Sequence, residues 1–79
     1  MLLRMRSMHS RAYRQFLVRF VEARRKSGLT QQEVARALKI PQGRVSRMET
    51  GERRIDIIEL AEFARLYRRS LQYFLPRTP

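Results

Sequence analysis

Along residues 10–75 the apolar side chains recur at helical spacing, and no stretch shows the two-residue alternation of a half-buried strand. Tyr13, Phe16, Leu17, Phe20 and Ala23 fall on one helical stripe, with Val21 at its margin. Arg11, Arg14, Arg19 and Arg25 lie mostly off that stripe, as solvated charges do. Ser10 offers an N-cap. Gly28 stands where a left-handed residue closes a helix, after the helix-end cations Arg24, Arg25 and Lys26. A long first helix is therefore expected from Ser10 to about Ser27.

Three further helices follow from local signals. Thr30 to Glu33 has the form of a capping box, and Leu29 can staple onto Val34. Val34, Ala35 and Leu38 then face inward, and the helix is expected to end near Lys39. Pro41 suits the first position of a third helix, about Gln42 to Thr50, with Val45 and Met48 inward. Asp56 and Glu59 repeat the capping signal ahead of Ile57, Leu60, Ala61, Phe63 and Ala64, in a fourth helix running to about Arg68. Ser70 caps a last turn, Leu71 to Leu75, which Pro76 stops. The expected fold is all-α, a compact domain of five helices over residues 10–75. A basic arm (1–9) precedes it and a short tail (76–79) follows.

Composition narrows the function. A chain of 79 residues holds one small core, burying only about 60% of its unfolded surface. It has no cysteine and one histidine, His9, so disulfides, a thiolate metal site and a zinc site built on histidine alone are excluded. The first ten residues lack the apolar stretch of a secretory signal. No apolar run approaches the roughly 20 residues of a membrane span. A cytoplasmic protein without a cofactor is expected. No paired carboxylates, nucleophile–base pair or phosphate-cradling glycine loop suggests an enzyme.

Charge changes the picture most. Lys and Arg number 18 against 7 Asp and Glu, giving +11. The excess is uneven: residues 1–48 hold 12 basic and 2 acidic side chains, net +10, and residues 49–79 hold 6 and 5, net +1. A bias concentrated in one part of the chain points to a polyanion, with nucleic acid ahead of an anionic membrane. Sixteen of the 18 cations are arginine, which forks onto phosphates and guanine edges.

Two short helices joined by a tight turn, Thr30 to about Thr50, suggest how DNA would be met. A major groove roughly 12 Å wide admits one helix, whose N-terminal residues then face base edges. At this point the chain resembles a known family. GLTQQEVA (28–35), RVSRMETGERR (44–54), DIIELAEFA (56–64) and SLQYFL (70–75) are similar to the Cro-like, phage-repressor (XRE-type) helix-turn-helix regulators, over residues 16–75.

The resemblance implies roles for individual residues. Gln42, Gly43, Arg44 and Arg47 match base-reading positions of the recognition helix. Gln31, Ser46, Arg53 and Arg54 match positions on the phosphates, where Arg4 and Arg6 of the arm can add contacts. Glu49 is expected to pair structurally with Arg24. The chain also departs from the pattern: Lys39 and Arg68 stand where glycine is common, and Gly43 removes one side chain from the reading helix. Double-stranded DNA is the expected partner, met by a homodimer that joins through Leu66, Tyr67, Tyr73, Phe74 and Leu75, while Leu71, Phe74 and Leu75 are also expected in part to close the monomer core. The resemblance implies a transcriptional repressor or autoregulator on a palindromic operator. The alternative is an antitoxin-type or other protein-interaction module, with the basic face serving solubility.

Overall fold

The computed structural model describes residues 10–76. The arm expected at 1–9, with Arg4, Arg6 and His9, lies outside the described residues, as do the last three residues of the tail. Among the described residues there are five α-helices: α1 (Arg11–Lys26), α2 (Gln31–Leu38), α3 (Gln42–Thr50), α4 (Ile57–Tyr67) and α5 (Leu71–Phe74).

Each boundary has a local cause. The hydroxyl of Ser10 accepts from the Tyr13 amide at 3.1 Å. Reciprocal capping boxes open α2 and α4, Thr30 with Glu33 and Asp56 with Glu59. Pro41 sits one residue earlier than its sequence suggests: it is the extended N-cap of α3, and Gln42 begins the helix. Three helices close alike, with a left-handed residue followed by an amide that reaches back five residues. The bonds are Leu29 to Arg24, Ile40 to Ala35 and Arg69 to Ala64. Only the first uses glycine, Gly28; the others place Lys39 and Arg68 at φ 60°. Each of these two costs about 1 kcal/mol relative to the right-handed region.

The core forms where α1 crosses the remaining helices. Phe16, Phe20 and Ala23 of α1 meet Val34 and Ala35 of α2, Val45 and Met48 of α3, and Leu60, Phe63, Ala64 and Tyr67 of α4. Phe20 lies at the centre, its ring 4.9 Å from Phe63, 5.8 Å from Phe16 and 6.4 Å from Phe74 between centroids. Ala35 is small enough for α2 and α3 to pack directly against each other.

Ile57 differs from its sequence reading. It is 60% exposed, as is its neighbour Ile58 at 70%. The first turn of α4 precedes the point where that helix reaches the core at Leu60.

Tyr67 and Phe74 require a correction. Both were expected at a dimer interface, Phe74 in part also in the monomer core; both are core residues, 4% and 0% exposed. Phe74 is drawn in by α5 folding onto α1, against Phe16 and Phe20. Tyr67 packs on Phe63. Its buried hydroxyl has no hydrogen-bond partner among the described residues, and burial raises its pKa, with nearby Glu49 adding to the shift.

Candidate nucleic-acid interface

The residues expected at DNA gather around α2 and α3, and a chain of polar contacts orders them. It starts at the end of α1. Arg24 donates through Nη1 to the Leu29 carbonyl at 2.9 Å. Its Nε and Nη2 donate to the two carboxylate oxygens of Glu49, at 2.6 and 3.1 Å. Both side chains are largely withdrawn from water, 13% and 5% exposed. The hydrogen bonds that Arg24 donates to Glu49 raise the Arg24 pKa above its ordinary value. This two-pronged geometry suits an arginine and could not be reproduced by lysine.

The chain continues into α2. Glu49 Oε1 accepts a second bond from Gln31 Nε2 at 2.8 Å. Because a carboxylate only accepts, Gln31 must present its amide nitrogen to Glu49 and its oxygen elsewhere. That oxygen accepts from Gln42 Nε2 at 2.8 Å. The acid at the end of α3 thus sets the orientation of both amides, including the one at the exposed start of α3. Gln31, expected on a phosphate, is committed to Glu49 and Gln42 here.

The remaining positions on α3 divide by exposure. Gln42 and Arg47 are exposed, and Gly43, Arg44 and Ser46 are half-buried. A Cβ at Gly43 would lie 3.2 Å from Nη1 of Arg47. The missing side chain therefore makes room for the Arg47 guanidinium along the first turn.

The loop from α3 to α4 is held by two arginines with different partners. Arg53 donates to the Arg54 carbonyl and to both oxygens of Glu59, at 3.1, 3.1 and 2.9 Å. That pairing holds the Glu59 carboxyl below the ordinary carboxylate range, helped by the Asp56 amide. Arg54 lies over the Tyr13 ring, 5.5 Å from its centroid. The Tyr13 hydroxyl accepts from the Ile55 amide at 3.2 Å, tying the loop to α1. Neither the Arg53–Glu59 pair nor the Tyr13 tether was expected from the sequence. The first could have been suspected, since the capping glutamate at position 59 lies six residues after an arginine.

The residues expected to join two copies do not form one surface. Leu66 lines a depression with Ala37, Leu38 and Glu62. Tyr73 sits beside α1, its carbonyl accepting from Arg19 at 2.9 Å and its ring flanked by Arg19 and Arg69. Leu75, 53% exposed, borders an apolar groove of about 400 Å³ with Tyr13, Phe16, Ile55, Ile57 and Leu60.

No helix among the described residues is long and apolar enough to cross a membrane. Searches of curated proteins and of solved structures gave no match. A helix-turn-helix family profile matches residues 21–74, from the middle of α1 to the end of α5. That match covers more than half the chain and includes both helices of the motif. The chain belongs to the Cro-like, XRE-type helix-turn-helix family of DNA-binding regulators of transcription.

Proposed function

We propose that this protein is a sequence-specific, homodimeric repressor or autoregulator that binds a palindromic operator through the major groove. The observation that carries the reading is the relay Arg24–Glu49–Gln31–Gln42, which fixes an exposed amide at the start of α3. An adenine edge asks for one donor and one acceptor side by side. Gln42 spends one amide hydrogen on Gln31, so its oxygen and second hydrogen remain for such an edge. Arg44 and Arg47 are the candidates for guanine, and Gly43 allows close backbone approach. Ser46 and Arg54 serve the phosphates, with Gln31 in support of Gln42. The site acts in the cytoplasm, where the operator is accessible.

One domain of this size offers few base contacts, and a dimer doubles them. With Tyr67 and Phe74 inside the core, the surface best suited to a second copy is the groove at Leu75, with the exposed Ile57 and Ile58 beside it. Leu66, in a separate depression, and Tyr73, held against α1 by Arg19, stand apart from that groove.

Selection of bound duplexes from a random pool tests the reading. The expected product is a palindrome whose half-sites lie about 34–36 Å apart, one helical turn. A single, non-repeated motif would reject the dimer. Gln42→Ala should relax preference at one base pair in each half-site, by about 1–3 kcal/mol of discrimination. An unchanged preference at every position would remove Gln42 from base reading.

A further inference from the structure

The loop expected to grip phosphates is net acidic. Residues 51–59, GERRIDIIE, hold two basic and three acidic side chains. Arg54 rests on Tyr13, and Arg53 is engaged on both nitrogens by Glu59. A bidentate guanidinium–carboxylate pair has the same fork geometry that a guanidinium offers a phosphate. Glu59 therefore occupies the two Arg53 nitrogens that a phosphate could otherwise use.

We propose that Glu59 is a specificity-determining residue: it holds Arg53 as an internal counter-ion and so limits the sequence-independent part of DNA affinity. This rests on the reading of α3 and its following loop as the DNA-binding face. For Arg53 to take a phosphate, one anion must replace another, and the released carboxylate then faces the DNA backbone. The exchange yields little net neutralisation of phosphate. A protein of charge +11 binds any duplex through counter-ion release, whatever the sequence. Withholding a cation at the phosphate loop reduces that background without touching the groups aimed at base edges.

Glu59→Gln is the direct test, because glutamine at this position still completes the capping box while the negative charge is gone. Affinity is measured for a selected duplex and for a scrambled one over a series of salt concentrations. The slope of log K against log salt should steepen by about 0.9, the value for one additional phosphate neutralised, and binding should tighten roughly five- to tenfold at 0.1 M salt. The gain should be equal for the two duplexes and should vanish in the Glu59→Gln/Arg53→Gln double variant. In the otherwise unaltered chain, Arg53→Gln should leave the slope unchanged, a second measurement that does not depend on how Glu59→Gln folds. An unchanged slope in Glu59→Gln, or weaker binding by a variant with an intact melting transition, overturns the proposal in favour of Glu59 as a loop staple. A slope lost in the single Arg53→Gln variant overturns it as well. Absence of DNA binding by the parent protein would instead sink the underlying reading of the interface.

Discussion

Glu49→Ala should lower the free energy of unfolding by about 2 kcal/mol, between the worth of an exposed pair and the cost of removing one member of a fully buried one. The reason is what it leaves behind. Arg24 is only 13% exposed and keeps just the Leu29 carbonyl as its partner. The variant also frees Gln31, and with it the orientation of Gln42. Stability and base preference should therefore fall together, which few surface substitutions would achieve. Urea unfolding followed by circular dichroism gives the first quantity, and affinity for matched and mismatched duplexes gives the second. A loss below about 1 kcal/mol, the usual worth of an exposed pair, would show that water already screens this one. Loss of stability with base preference intact would mean that Gln42 does not depend on the relay.

Phe20→Ala is expected to be at least as damaging, at about 3–5 kcal/mol. Its ring is fully buried, and it contacts Phe16, Phe63 and Phe74, from three different helices. No single neighbour can move to fill the space without leaving its own contacts. A domain of 79 residues is stable by only about 4–12 kcal/mol at typical values per residue. The melting temperature should drop by at least about 12 °C, given 4–8 °C for each kcal/mol in domains of this size. A shift of less than about 5 °C would show that the core collapses around the deletion.

The fold was largely readable in the chain because its instructions are local. Thr30 with Glu33, and Asp56 with Glu59, announce their helices within four residues. The stripe from Tyr13 to Ala23 names its own buried face. The αL residues Lys39 and Arg68 were visible as departures at positions where glycine is usual, and the backbone adopts the strained conformation there despite the side chain. What escaped depends on tertiary placement. Tyr67 looked surplus to a short terminal segment, and Phe74 was divided between core and interface, because only the folding of α5 back onto α1 decides between them. Ile57 has the spacing of a core residue but belongs to a first turn that stops short of the core.

The site was legible in its members and less so in their partners. Arg24 and Glu49 lie 25 positions apart, and only the resemblance to a family joined them. Gln31 was expected to meet phosphate, whereas its amide is held by a carboxylate and a second amide. Arg53 was expected to be available, and Glu59 was seen only as a cap. One carboxylate can close a helix and bind a guanidinium at once, because its two oxygens accept several bonds. Sequence patterns assign it one of those roles and are silent about the other.

A titration over a range of salt concentrations decides whether this basic five-helix domain binds duplex DNA. Binding should be clear at low salt even for an unrelated duplex, and log K should fall linearly with log salt, with a slope reflecting several neutralised phosphates. A selected palindrome should keep its advantage as salt rises. Absence of affinity for any duplex at low salt would contradict the account, and would leave the basic face as a device for solubility or for binding another protein.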